Sequence, residues 1–234
     1  MQTNQDLAWL GEARRHGLFG RLPDDIVRAA VNVAQRVEYG PGPIGMRWQQ
    51  GPTTAIVVSG ILRTYLAFPD GGQATVRYLK AGDMTGIFAP RQPALARGLI
   101  GLEPSELLFI DGARMKELSI AEPQFGWALV QELTSVLNAS HRALYIRAFG
   151  SLRQRLVTAI VDRATAAGQL ARGSQVMGTQ HELAIAVGSV REVVASILGT
   201  MKHEGLIDIR RGSVVIREPE RLVAESQAVI ASSS

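Results

Sequence analysis

The stretch TQHELAIAVGSVREVVASILGTMKHEGLI, residues Thr179–Ile207, decides how the chain is read. Thr179 is followed three positions on by Glu182, the spacing at which a hydroxyl and a carboxylate cap each other's orphan backbone N–H groups at a helix start. Leu183, Ala184 and Val187 give a buried face, and Gly188 stops the helix where a left-handed residue is needed. A second helix is expected from about Ser189, with Val190, Val194, Ile197, Leu198 and Met201 turned inward. Arg191, Glu192, Ala195 and Ser196 then look outward from its first two turns. Two short helices about a tight turn make a helix-turn-helix, whose second helix enters the major groove of DNA. An arginine can bond guanine O6 and N7 together, and a glutamate can accept from cytosine N4. Arg191 and Glu192, with Ser189 and Ser196 beside them, are therefore the expected base readers. Taken alone, Arg191 and Glu192 also fit an ordinary solvated pair; the capping box, glycine turn and apolar spacing around them favour the first reading.

The residues beyond Leu206 extend the motif. Ile207 to Arg210, a turn at Arg211-Gly212-Ser213 and Val214 to Arg217 read as a two-stranded wing. Lys202, Arg210 and Arg211, with Thr179, are placed to meet phosphates, which position a protein without reading sequence. Double-stranded DNA is the expected partner. The charge permits this without demanding it. The net charge is +4, split evenly on either side of Gly150, so a basic footprint has to come from local clustering.

Upstream, the pattern changes twice. Leu7 to Gln35 reads as helical, with Asp24 and Asp25 suited to the positive end of a helix dipole after Pro23. From Val37 to Asp111 short apolar runs alternate with turns at Gly40–Pro43, Pro69-Asp70-Gly71-Gly72 and Ala81-Gly82-Asp83, the pattern of a β-barrel or sandwich. From Gly112 to Ala148 the helical period returns. Val130, Leu133, Leu137, Ser140 and Leu144 fall three and four apart, a stripe narrow enough for a self-pairing dimer helix. Packing against the chain's own barrel is the competing use of that stripe. Phe149-Gly150-Ser151 breaks the helix as a hinge, and a further amphipathic helix carries Leu152, Leu156, Ala159, Ile160 and Ala164. The class is α+β, divided as 1–111 for N-terminal helices and β domain, 112–149 for the long helix and hinge, and 150–234 for the winged helix-turn-helix.

Composition closes several routes. A hydrophobic fraction of 46% and a charged fraction of 20% are globular values. No apolar run approaches the roughly 18 residues of a membrane span, and Met1 to Arg15 lacks a signal-type apolar core, so a cytoplasmic protein with no membrane partner is expected. There is no cysteine, which removes disulfides, thiolate zinc sites, cysteine-ligated iron–sulfur clusters and cysteine nucleophiles. No phosphate loop, nucleophile elbow or metal cluster is visible, and no catalytic residue or metal site is expected.

Val187-Gly188-Ser189-Val190-Arg191-Glu192-Val193-Val194, with Glu204-Gly205-Leu206-Ile207, resembles the bacterial Crp-Fnr regulators. Leu18-Phe19 with Leu22-Pro23, Ser59-Gly60-Ile61-Leu62-Arg63 and Ala81-Gly82-Asp83 with Gly86 resemble that family's helix entry and the turns of its cyclic-nucleotide-binding-like β-roll, a double-stranded β-helix or jelly roll. The resemblance implies a long dimerisation helix, a homodimer on a near-palindromic operator, contact with RNA polymerase, and base reading by Arg191 and Glu192. Most relatives carry a second arginine where Ser196 stands. Cyclic-AMP members grip the nucleotide with a Glu and an Arg-Ser or Arg-Thr pair. Those positions correspond here to about Ile87 and to Leu95-Ala96, near Arg97-Gly98, so cyclic AMP is not expected to bind in the usual way. An effector pocket would involve Arg63, Ile87, Arg97 and His141. Haem through His141 stays open, although a polar or paired helix histidine is the favoured reading. A cyclic-nucleotide-like or haem-binding signalling module acting through protein contacts is the alternative function.

Overall fold

The computed structural model describes residues 6–45, 53–69, 72–86 and 96–231. A 3-10 helix, Ala8–Arg14, precedes α1 (Gly17–Gly20) and α2 (Asp24–Asn32). Strands β1 (Gln35–Tyr39), β2 (Gly42–Ile44), β3 (Thr53–Ser59), β4 (Leu62–Ala67), β5 (Gln73–Leu79), β6 (Met84–Thr85), β7 (Ala96–Gly101) and β8 (Ser105–Asp111) come next. They form two four-stranded sheets, ordered β1-β8-β3-β6 and β2-β7-β4-β5. The pairs whose register is defined are antiparallel, such as Val37 opposite Leu107 and Ile56 opposite Leu108.

Strand β3 shows why the sheets close on each other. Its run Ala55-Ile56-Val57-Val58 is buried on both faces, as alternation every second residue requires of an uninterrupted apolar strand. Val57 joins Leu107, Ile44, Leu62, Leu79 and Leu99 in a core drawn from both sheets. Ile56 and Val58 point the other way, into a core with Leu10, Leu18, Phe19, Met115 and Phe125 from the helices. Two antiparallel sheets around one apolar interior, capped by helices on an outer face, are the expected β-roll. The hairpin expected at Pro69–Gly72 is seen at its rim, where the Phe68 N–H donates to the Gly72 carbonyl at 2.8 Å; Asp70 and Gly71 lie outside the described residues.

After α3 (Gly112–Ala121), whose N-cap Asp111 accepts from the N–H groups of Ala113 and Arg114, comes α4 (Pro123–Phe149). One side of α4 buries Phe125, Ala128, Leu129 and Ile146. The other leaves Trp127, Val130, Leu133, Leu137 and Leu144 exposed, while Ser140 is half-buried and His141 exposed. Glycine is needed at the break: a Cβ at position 150 would lie 2.4 Å from the Ile146 carbonyl oxygen. Ser151 then caps α5 (Leu152–Ala166) in a full capping box with Gln154.

The chain forms two compact units, residues 1–64 with 79–138, and residues 65–78 with 139–234. The second contains α5, β9 (Gln175–Met177), α6 (Gln180–Val187), α7 (Arg191–His203), β10 (Ile207–Arg210), β11 (Ser213–Ile216) and α8 (Pro219–Ala231). Leu156, Ile160, Leu183, Val187, Val194, Leu198, Met201, Ile207, Ile216 and Leu222 fill its core. No single helix among the described residues is long and apolar enough to cross a membrane.

Candidate nucleic-acid interface

The geometry of the helix-turn-helix is set by its local chemistry. At the start of α6, the Glu182 N–H donates to the Thr179 hydroxyl and the Thr179 N–H donates to the Glu182 carboxylate, at 3.1 and 2.6 Å. At its end, the Gly188 N–H donates to Ile185 and the Ser189 N–H to Ala184, at 3.2 and 2.9 Å. This paired closure needs a left-handed residue at Gly188, which has φ 67° and ψ 54°. The chain thereby turns through 106° between α6 and α7, within the range of helix-turn-helix pairs.

Helix α7 buries Val194, Leu198 and Met201 and leaves Arg191, Glu192 and Ser196 exposed, with Ser189 half-buried just before it. Val190 departs from expectation. It is the N-cap, with extended backbone at φ −98° and ψ 154°, and its side chain is exposed rather than inward. The helix starts at Arg191, two positions later than the expected start at about Ser189, and before that start the helical period no longer fixes which way a side chain faces. At the other end, Lys202 and His203 occupy the last turn, where cations suit the negative pole of the helix.

The expected wing is present. Strands β10 and β11 pair from Ile207–Ile216 to Arg210–Ser213, joined by Arg211 and Gly212, the latter at φ 73°. Strand β9, in a segment whose sequence carries no strand signature, adds to β11 and gives the order β10-β11-β9. A cleft of about 560 Å³ opens between the wing and the two helices, lined by Thr179, Gln180, His181, Arg191, Arg210 and Arg211 among others. Arg191 and Arg211 make no ion pair among the described residues. Asp208 lies within electrostatic range of Lys202 and Arg210, but Arg217 holds it, through a bond from Nε at 2.7 Å. That bond keeps the Asp208 carboxyl below the usual carboxylate range. The basic side chains of the cleft thus stay available to an outside anion.

Three further arginines lie against α7 or the turn before it, and no local pattern in the sequence marks them. Arg153 on α5 donates to Glu204 just past α7 at 2.8 Å and to Glu225 on α8 at 2.7 Å. Bonds to Glu204 and then Glu225 hold its guanidinium firmly in the charged form. Arg155 donates to the Val187 carbonyl at the turn, at 3.2 Å. Arg147 reaches the same turn, with Nη2 only 2.6 Å from where a Cβ on Gly188 would stand. Burial, then the nearby charge of Arg155, lowers the pKa of Arg147. The hydrogen bonds of Arg153 and Arg155 join residues 32 to 72 positions apart, beyond the reach of any local motif.

The expected effector positions fall on separate elements. Arg63 is buried on β4 and Arg97 exposed on the neighbouring strand β7. Ile87 lies outside the described residues, and His141 is exposed on α4. Gly98 follows Arg97 on β7.

Residues 154–225 match the description of a Crp-like helix-turn-helix domain. The chain is 25% identical over 203 residues to the cyclic AMP receptor protein of Thermus thermophilus, covering 86% of this chain and 92% of that protein. It is 27% identical over 179 residues to the transcriptional regulator SdrP of the same organism, covering 73% and 83%. The solved structure of the c-di-GMP-responsive global regulator CLP of Xanthomonas campestris shares the fold, with a TM-score of 0.69 at 20% identity over 83% of this chain and 99% of that one. The C-terminal part of the chain is thus a Crp-like helix-turn-helix domain, and the chain as a whole is similar over most of its length to transcription regulators of the Crp type.

Proposed function

We propose that the protein binds a near-palindromic operator as a homodimer, with Arg191 and Glu192 reading a G and a C in each half-site. The observation that carries this is the first turn of α7. It presents a guanidinium and a carboxylate side by side, both exposed, beside a wing whose Arg210 and Arg211 face the same cleft. Ser189 and Ser196 flank the readers; Thr179, Lys202, Arg210 and Arg211 meet phosphates. In this reading residues 150–234 contact DNA, 112–149 pair with a second copy, and 1–111 carry the sensor. The exposed stripe Val130, Leu133, Leu137 and Leu144, with Ser140 at its edge, supports pairing of α4 across a two-fold axis, because an isolated chain gains nothing from that apolar surface. Recruitment of RNA polymerase accords with the family reading.

The β-roll senses an effector other than cyclic AMP gripped in the usual way, or the protein binds DNA without one. An effector would act by biasing the spacing of two reading helices, which must match half-sites about 34 Å apart, and a few kcal/mol of differential binding is enough. No cofactor is proposed. The test is selection of bound duplexes from a random pool, then footprinting with the wild type and Arg191→Ala. The expected result is two inverted half-sites one helical turn apart, protected by the wild type and not by the variant. Equal protection by Arg191→Ala refutes the assignment.

A further inference from the structure

The start of α7 leaves apolar surface exposed among the described residues. Val190 is 58% exposed and Val193 43%. They stand three residues apart, and Arg191 and Glu192 lie between them in sequence. The core below is filled without them, by Val194, Leu198 and Met201, each with no exposure. Local stability does not explain them either. Val190 holds the N-cap, where a serine, threonine, aspartate or asparagine would bond a free backbone N–H, and it supplies no such bond. Beta-branched side chains are also below-average helix formers.

The partner that makes use of this surface has to be apolar and continuous with whatever Arg191 and Glu192 touch. Duplex DNA presents one such group in its major groove, the C5 methyl of thymine. Hydrogen-bonding side chains do not read that methyl, whereas an isopropyl group packs against it. We infer that Val190 and Val193 are thymine readers, and that their methyl groups contact the C5 methyls of thymines adjoining the bases read by Arg191 and Glu192. The inference rests on the DNA-reading proposal and adds to it the base class of the neighbouring steps. Ser196, one turn further along, offers only a short hydroxyl, so the apolar contacts also supply discrimination that an arginine would otherwise give.

The test uses the full chain and synthetic operators carrying the selected sequence, with deoxyuridine replacing thymine one position at a time. Uracil pairs as thymine does and lacks only the methyl. Affinities are measured for the wild type, Val190→Ala, Val193→Ala and Val193→Thr. The expected result is a loss of about four-fold for the wild type at one or two thymines in each half-site, the worth of one buried methyl-sized group. At that same position Val193→Ala or Val190→Ala becomes indifferent to uracil. Val193→Thr keeps one methyl and with it part of the sensitivity. Unchanged thermal midpoints for the alanine variants exclude a folding defect as the cause. Wild-type affinity that ignores uracil at every position, or alanine variants that keep full sensitivity, overturns the inference. If no operator is selected, or Arg191→Ala binds as well as the wild type, the DNA-reading proposal falls and the valines with it. Arg191-dependent binding without any methyl effect sinks the valine assignment alone.

Discussion

Replacing Gly188 by alanine separates two reasons for a glycine at the turn. The first is backbone conformation. At φ 67° and ψ 54° an L-residue brings its Cβ against the following carbonyl, at a cost of roughly 1–2 kcal/mol. The second is space. The new Cβ would stand 2.6 Å from Arg147 Nη2, well inside contact distance. That atom is the far end of a flexible side chain, so it can swing aside, and the guanidinium is already disfavoured by burial and by Arg155. The conformational cost therefore dominates, and the total should stay near 1–2 kcal/mol. For a chain of this size that lowers the thermal midpoint by roughly 2–8 °C. Gly188→Asn should lose less, because asparagine tolerates the left-handed region. Circular dichroism melts of both variants, and of each combined with Arg147→Ala, supply the check. If Gly188→Asn is as damaged as Gly188→Ala, and Arg147→Ala rescues both, space governs and the reasoning is wrong.

Two further outcomes concern charges in the DNA-binding half. Arg153→Gln leaves Glu204 and Glu225 without their shared partner, so amide hydrogen exchange across Lys202–Leu206 should quicken while that of α6 stays unchanged; equal protection in both proteins would show that the clamp is idle. Asp208 and Asp162 should respond to acid with opposite sign. The Asp208 carboxyl, lowered by its bond to Arg217, contributes stability above its unfolded value of 3.8 and loses it as pH falls through the lowered value. The Asp162 carboxyl is raised by burial, against the opposing Arg142, so its ionisation costs stability that returns as pH falls through the raised value. Urea midpoints across the acid range should show Asp208→Asn converging on the wild type in acid and Asp162→Asn falling behind it.

The parts of the fold that are legible in the sequence are those written in local backbone grammar. Thr179 with Glu182, Gly188, Gly150 and Gly212 each satisfy a requirement set by residues within a few positions, so the helix-turn-helix, the helix break and the wing can be read directly. The apolar run at Ala55–Val58 announces a strand buried on both faces. Helix α8 is not legible in the same way, though its glutamate at position 225 completes a clamp. That clamp joins α5, the end of α7 and α8 across 51 and 72 residues, and no periodicity encodes such a meeting. Val190 defeats the pattern because capping positions sit outside the helical repeat that assigns direction. Arg191 and Glu192 are legible as outward-facing, since the stripe opposite Val194, Leu198 and Met201 admits no other direction.

The Arg153 clamp also sets an order of events during synthesis. Arg153 and Glu204 are both made before Glu225, so for a time the guanidinium holds one carboxylate instead of two. Helix α7 can form by then, and its apolar side can settle on α5, but its far end is tied only through the exposed half of the cluster. The second tie closes when α8 docks, a contact of long sequence separation that belongs to the slow end of folding. A message cut short between Glu204 and Glu225 would thus yield a chain that has α7 and lacks its final fastening.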